Sequence, residues 1–411
     1  MPGALPEGEP VPADGALPDS AQGGLGQRPF GIYVHVPFCA ARCGYCDFNT
    51  YTAAELGGRP GAPRVSPESY PTLAIAEIAF ARKVLGPADL PVSTVFFGGG
   101  TPTLLAPTAL GAILRAIDAE FGLAPGAEVT SEANPESVEA ASLAELRAQG
   151  VTRMSFGMQS AVPGVLAVLD RVHQPGRPAR CAAWARAAGF SHVSLDLIYG
   201  TPGESGPDWR RSLEAALGAG PDHLSAYALT VEPGTRLAAR VRRGELAAPE
   251  DDVLAERYLV ADEVLSGAGL RWYEISNWAA GEQARCAHNM LYWTGGDWWG
   301  IGPGAHSHVG GTRWWNVRHP AAYGARIAAG VSPGQARETL SSPERQLERV
   351  MLLLRLAEGC PVAILGPAGR VKAAGVVEDG LASPAAYADG RIVLTSRGRL
   401  IADTVTRALT E

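Results

Sequence analysis

From Phe30 onward the chain alternates short apolar runs with longer amphipathic stretches. "GIYVHV" (31–36), "STVFF" (93–97), "EVTSE" (128–132), "TRMSF" (152–156), "HVSLDL" (192–197) and "HLSAYAL" (223–229) are short, rich in β-branched and aromatic residues, and read as strands. Between them run "PESYPTLAIAEIAFARKVLG", "TALGAILRAIDAEFG", "ESVEAASLAELRAQG", two short helical stretches near 161–189 and "PDWRRSLEAALGAG". Gly or Pro punctuates nearly every boundary. The pattern predicts an α/β fold of six β-then-α units. Parallel strands joined by right-handed crossovers curl into a barrel or an open sheet. Six units fall short of the eight of a closed TIM barrel, so a partial, splayed (β/α)6 TIM-like barrel is expected over 30–240. An aromatic-rich connecting region over 241–330 and a smaller α+β C-terminal domain over 331–411 would follow. In that last part 343–359 reads as an amphipathic helix, and 390–411 as a strand, a turn and a final helix, a winged-helix-like end. Residues 1–29, rich in Pro, Gly, Ala and Asp with no apolar period, read as a disordered tail.

Composition narrows the function classes. The chain has 411 residues, 46% of them hydrophobic, enough for a sizeable core. Net charge is −7 with no basic block, so nucleic acid is a poor partner, and the C-terminal arginines form no strong recognition face. No secretory signal and no run of about 18 apolar residues is visible, which points to a cytoplasmic protein. The six cysteines do not make a disulfide framework; they suggest a reducing compartment and metal or reactive roles.

In open and closed α/β sheets, ligands gather at the carboxyl ends of the strands. Those ends carry distinctive residues here. The first strand runs into Cys39, Cys43 and Cys46, the second into "GGGTPT" (98–103), the third into "SEANPE" with Glu132. The fourth ends in "GMQS" with Gln159, the fifth carries Asp196 before "YGTPG", and the sixth reaches Tyr227, Ala228 and "TVEPGT". One shared cleft accounts for all of them.

Cys39, Cys43 and Cys46 read C-x-x-x-C-x-x-C, and thiolates so spaced can bind zinc or an iron–sulfur cluster. A structural zinc site wants four ligands, and no second C-x-x-C supplies the fourth. A [4Fe–4S] cluster can use three cysteines and leave one iron open to a chelating amine and carboxylate, the groups at the amino-acid end of S-adenosylmethionine. The glycine run can be a tight strand-to-helix turn, or can leave backbone N–H groups free for a carboxylate. Glu132, Gln159, Arg171 and Asp196 can receive or donate hydrogen bonds to ribose, amine or carboxylate, and each alone could equally be structural. Cys181, Cys286 and Cys360 are scattered and read as packed thiols.

The cysteine loop after the first strand, with "GGGTPT" after the second, resembles the radical S-adenosylmethionine superfamily. "YVHVPFCAARCGYCDF", "SEANPES", "RMSFGMQS", "LDRVH", "DLIYGTPGE", "YALTVEPGT", "YEISNWA" and "HNMLYW" are similar to the branch that holds the oxygen-independent coproporphyrinogen III oxidases and the HemW-type heme chaperones. The resemblance runs from about residue 30 to the C-terminus and implies a partial radical-SAM barrel with a C-terminal domain. It implies that Cys39, Cys43 and Cys46 hold a [4Fe–4S] cluster. It also implies that Tyr33, Gly99, Gly100, Thr101, Glu132, Gln159, Arg171, Asp196 and Ala228 line an S-adenosylmethionine site.

Phe48 separates the two relatives. The oxidase pattern resembles C-x-x-x-C-x-x-C-x-C, and Phe48 stands where its further cysteine falls. The oxidase also has an N-terminal arm over its substrate, against only a Pro/Gly-rich tail here. Both departures imply a chaperone that binds heme and passes it to an acceptor protein, without coproporphyrinogen turnover; radical oxidative decarboxylation of coproporphyrinogen III is the alternative. Seven of the nine tryptophans fall between Trp272 and Trp315, as a packed core or as a wall for a porphyrin. His288, in "HNMLYW", is the first candidate for a heme ligand, with a hydrogen-bonded structural role as its alternative; His306 could face the cofactor cleft, and Cys286 could reach iron as thiolate. The expected partners are heme and a heme-acceptor protein. The chain is compatible with peripheral membrane contact, and with a monomer or a dimer.

Overall fold

The computed structural model describes residues 7–56 and 65–411. The predicted strands form as β1 (Phe30–Val36), β2 (Val92–Gly99), β3 (Leu123–Ala133), β4 (Arg153–Gln159), β5 (His192–Tyr199) and β6 (His223–Ala228). All five neighbouring pairs, β1 with β2 through β5 with β6, are parallel. β1, β4 and β5 are buried almost continuously, as expected of strands covered on both faces. The crossover helices pack one stripe inward. Tyr70–Leu85 buries Tyr70, Ala74, Ile78, Ala81 and Leu85, and Pro107–Phe121 buries Leu110, Ile113, Leu114, Ile117 and Phe121, the spacing of a single helix face.

The sheet does not stop at these strands. It continues past β6 through β7 (Arg271–Glu274) and β8 (Asn277–Ala279). It continues past β1 through β9 (Asp297–Ile301), β10 (His306–Val309), β11 (Thr312–Asn316) and β12 (Gly334–Thr339). The order is β12-β11-β10-β9-β1-β2-β3-β4-β5-β6-β8-β7, twelve strands in all, with β9 parallel to β1. The boundaries expected at 240 and 330 therefore cut through one sheet. These added strands are three to six residues long, and β7, β8, β9 and β11 carry tryptophans whose aromatic density hid their alternation. Trp278, Trp299, Trp314 and Trp315 are buried, which makes most of the tryptophan cluster core and not a ligand wall.

Of the tail expected at 1–29, residues 1–6 lie outside the described residues, and the rest is mostly exposed but anchored to the fold at several points. Glu9 exchanges backbone hydrogen bonds with Arg337 on edge strand β12, at 2.9 and 2.8 Å, and Leu17 and Ala21 are buried. An edge strand offers unpaired backbone groups that any extended segment can satisfy, which composition does not reveal.

A second core gathers Val350, Leu354, Cys360, Leu365, Val376, Ile392, Val405 and Leu409. It lies among the helices Ser342–Leu353, Pro367–Glu378 and Ala402–Thr410 and a two-stranded ribbon of β13 (Cys360–Pro361) and β14 (Arg391–Ile392). No helix among the described residues is long and apolar enough to cross a membrane.

Candidate functional site

The cysteine loop after β1 is fastened to several strand ends at once. Cys39 N–H donates to the Tyr51 carbonyl at 3.0 Å, and Thr101 N–H, after β2, donates to Phe38 at 2.7 Å. Gly44 N–H donates to Leu169 at 3.0 Å, and its own carbonyl accepts from Leu237 N–H at 2.8 Å. Asn49 Nδ2 donates to the carbonyls of Pro303 and Arg318 at 2.9 and 2.8 Å. Cys39, Cys43 and Cys46 are each half-buried, and none is in a disulfide. Thr101 Oγ1 lies 4.0 Å from Cys39 Sγ, and Arg171 Nη1 lies 3.5 Å from Cys43 Sγ. Burial pushes the Cys39 thiol up and the Cys46 thiol up to about 11, so in the free protein both hold their protons at neutral pH. Among the described residues no three His, Cys, Asp or Glu side chains converge on the centre of a single ion.

The glycine run owes its composition to close backbone approach. Gly99 has φ +107°, and a Cβ on Gly100 would stand 2.4 Å from the Phe38 carbonyl oxygen. Its amides are not free for a ligand carboxylate, contrary to one reading of the sequence. Gly99 N–H donates to Glu132 Oε2 at 3.1 Å, Gly100 N–H to Val36 at 2.8 Å, and Thr101 N–H to Phe38. Gly100 and Thr101 thus lie beneath the cysteine loop and hold it.

Tyr33, Glu132, Gln159, Asp196 and Ala228 line a cavity of about 490 Å3 beside Cys46. Glu132 is pushed up to about 8, first by burial and then by the Asp196 charge. Asp196 is also raised by burial, against the opposing pull of Ser225, Ser155 and Arg171; Ser155 Oγ donates to its Oδ2 at 2.9 Å. Gln159 holds φ +62° at a register shift between β4 and β5, a strained backbone that turns its side chain off the ladder. Arg171 follows the helix Pro163–Val168 after β4 and donates from Nη2 to Gly157 at 2.8 Å, while its buried Nε has no partner among the described residues. Paired acceptors with an amide around a concave space suit the amine and hydroxyls of S-adenosylmethionine, while Arg171 stands outside the cavity lining, against the cysteine loop.

The cavity has a polar floor that strand-end reasoning missed. Arg153, on the first residue of β4, is buried and donates to Glu128 at 2.9 Å, Ser194 at 3.2 Å and the carbonyls of Ala284 and Arg285. His223 Nε2 pairs with Tyr273 OH at 2.8 Å. A charged residue opening an otherwise apolar strand was the available signal.

His288 lies in this floor, 1% exposed. Its Nδ1 pairs with Thr94 Oγ1 at 2.8 Å and its Nε2 with Tyr292 OH at 2.7 Å, and burial holds it down to about 3. Its ring stacks on Phe96 at 5.3 Å. Both nitrogens are committed, so the geometry disfavours His288 as an iron ligand and gives it the structural role. Cys286 is likewise buried, 3.6 Å from Glu128 Oε1.

A second cavity, of about 530 Å3, shares Tyr33, Phe48 and Tyr292 with the first and is bounded further by Trp298, His306 and Arg318. Phe48 is 57% exposed between the two.

Residues 33–216 match the model of the radical SAM superfamily. The chain is 54% identical to "Heme chaperone HemW" of Mycobacterium tuberculosis over 93% of this chain and 95% of that protein. It is 36% identical to the protein of that name in Synechocystis, over 80% and 79%. Coproporphyrinogen III oxidase (HemN) of Escherichia coli shares the fold, with a TM-score of 0.78 at 21% identity over 95% of this chain and 92% of that one. On these relationships, the chain belongs to the HemW family within the radical SAM superfamily.

Proposed function

We propose that this protein binds heme and delivers it to an acceptor protein, on a scaffold that also carries a [4Fe–4S] cluster and S-adenosylmethionine. The observation that carries the reading is 54% identity, across nearly the whole chain, to a protein named a heme chaperone. Phe48 supports it: a phenyl ring offers neither the ligand nor the redox chemistry of the cysteine in the oxidase pattern. Cys39, Cys43 and Cys46 would hold the cluster, which would chelate S-adenosylmethionine through its open iron and supply one electron. Glu132 and Asp196 would accept from the amine or ribose hydroxyls, and such a donor would draw the Glu132 carboxyl back toward ionisation. Gln159 and Arg171 would orient the remaining polar groups, Tyr33 and Ala228 would close the walls, and Gly99, Gly100 and Thr101 would fix the cysteine loop below.

Anaerobically reconstituted protein, titrated with hemin and assayed for coproporphyrinogen turnover on the same sample, tests the proposal. Saturable heme binding without turnover is expected. Conversion of coproporphyrinogen to protoporphyrinogen, or no saturable heme binding, overturns it. Cys43→Ser should strip the brown cluster absorbance and leave the far-ultraviolet circular dichroism intact, because the loop lies at the barrel rim.

A further inference from the structure

At the amino end of β1, the end away from the cysteines, lies a further cavity of about 370 Å3. That volume is within the range of small-molecule pockets. Its walls are Arg28 and Pro29 before β1, the turn from Trp293 to Gly296 before β9, the β10–β11 hairpin and the helix Ser342–Leu353. The helix supplies Arg345, Glu348, Arg349 and Leu352, spaced i, i+3, i+4, i+7, which is one helix face. Three arginines therefore line one concave space against a single glutamate, in a chain whose net charge is −7. They come from separate segments, so no basic block marks them in the sequence.

Two of the arginines have no counter-charge. Arg28 is held by the buried Asp297, 3.0 Å from its Nε and 2.9 Å from its Nη2. Glu348 is drawn aside by Arg313 at 2.6 Å, which also pairs with Glu338 at 2.8 Å. Arg345 makes only long contacts, from Nη1 to the Gly310 carbonyl at 3.5 Å and from Nη2 to Ser342 Oγ at 3.3 Å. Neither Arg345 nor Arg349 is in an ion pair among the described residues. The surroundings are nevertheless fixed. Gly311 has φ +88°, and a Cβ there would stand 2.7 Å from Arg345 Cδ, so the hairpin is bare where the arginine crosses it. His308 donates from Nδ1 to the Gly296 carbonyl at 3.0 Å and accepts at Nε2 from Gly311 N–H at 3.2 Å, which locks the turn to the hairpin. At the same wall the buried indole Nε1–H of Trp293 has no acceptor among the described residues. A donor shut away from water without an acceptor is costly, and an oxyanion in the cavity would supply one.

We infer that this cavity binds a phosphate group on an apolar or aromatic body, with Arg345 and Arg349 on the phosphate oxygens, Arg28 at the rim, and Trp293 and Leu352 against the body. Guanidinium groups meet phosphate oxygens in matched pairs of hydrogen bonds, which a lysine does not reproduce. A soluble phosphate ester suits the site better than a lipid head group. Leu347, the exposed apolar residue of the same helix, lies two positions from each arginine and so on another face, away from where a lipid layer would meet the phosphate site.

Isothermal titration calorimetry of the full chain with phenyl phosphate, inorganic phosphate and phenol tests this, alongside co-sedimentation with phosphatidylglycerol and phosphatidylcholine vesicles. One phenyl phosphate should bind per chain, more tightly than inorganic phosphate and less tightly as salt is raised, while phenol should not bind. Arg345→Ala and Arg349→Ala should each weaken phenyl phosphate about tenfold, and the double variant should lose it, with circular dichroism unchanged. Arg210→Ala with Arg211→Ala, a pair on another helix, should bind as wild type does. Sedimentation with phosphatidylglycerol vesicles alone, lost in the Arg345→Ala, Arg349→Ala double variant, would keep the site and put its phosphate on a lipid. If neither phosphate compound nor vesicle binds, or if the double variant binds them as wild type does, the assignment fails.

Discussion

Arg171 ties the cysteine loop to the barrel: Nη1 lies 3.5 Å from Cys43 Sγ while Nη2 donates to the Gly157 carbonyl of β4 at 2.8 Å. A guanidinium this close to a ligand sulfur stabilises negative charge there, and adding an electron to a cluster adds negative charge. Arg171→Ala should therefore shift the cluster's reduction potential to more negative values by tens of millivolts, with Arg171→Lys in between. Electron paramagnetic resonance during a redox titration reads the shift. An unchanged potential at full iron loading would show that the arginine only braces the loop.

Gly100 is the tightest contact between β2 and the cysteine loop, with a Cβ placed 2.4 Å from the Phe38 carbonyl oxygen. Backbone cannot yield there as a flexible side chain can. Gly100→Ala should displace the loop and cut reconstituted iron and sulfide several-fold, while the thermal transition of the apo barrel drops by only a few degrees. Full iron loading in Gly100→Ala would contradict this account.

The strands from Phe30 to Ala228 and the ring of polar groups at their carboxyl ends were legible because parallel strands are continuous apolar runs and ligand groups follow them. The outer strands were not, since Trp298 and Trp299 in β9 read as aromatic density before they read as alternation. Glu9 on Arg337 is a long-range backbone pairing that no local pattern encodes. The motif carrying His288 was visible and holds one partner, Tyr292, one turn on in the same helix, but Thr94, which commits the other nitrogen, comes from β2. His306, which the sequence offered as facing the cofactor cleft, lies on the wall of the second cavity.

Glu132 makes apo stability depend on pH. Its carboxyl is pushed up to about 8 in the folded protein, above its ordinary value of 4.5. Between those values the folded chain holds a proton that the unfolded chain has lost, so this residue lowers stability as pH rises through the window. Glu132→Gln removes the ionisation. Its melting temperature should match wild type near pH 4, exceed it increasingly up to pH 8 by a few degrees, and level off above. Differential scanning calorimetry on cofactor-free protein measures this, and parallel pH profiles for the two proteins would refute it.

A buried cation helps join the C-terminal core to the barrel. Arg399 pairs with Asp262 through Nη2 and Oδ2, donates from Nη1 to Tyr258 OH at 3.0 Å, and sits 4.3 Å over the Trp272 ring. Asp262 also accepts from Trp278 Nε1 at 2.9 Å, so the same carboxylate serves both units. Removing the arginine leaves a largely buried carboxylate with only the indole N–H, a loss of roughly 3 kcal/mol for a pair of this kind. Because the C-terminal unit has its own hydrophobic core, the loss should appear as uncoupling and not as global unfolding. Arg399→Ala should split the thermal transition in two and change the fluorescence of the neighbouring Trp272 in the first step. Arg399→Ala with Asp262→Ala should be less destabilised than the sum of the single variants, since neither charge is then stranded. A single unshifted transition in Arg399→Ala would mean that other contacts, such as the Glu274–Leu356 backbone bridge, hold the two units together.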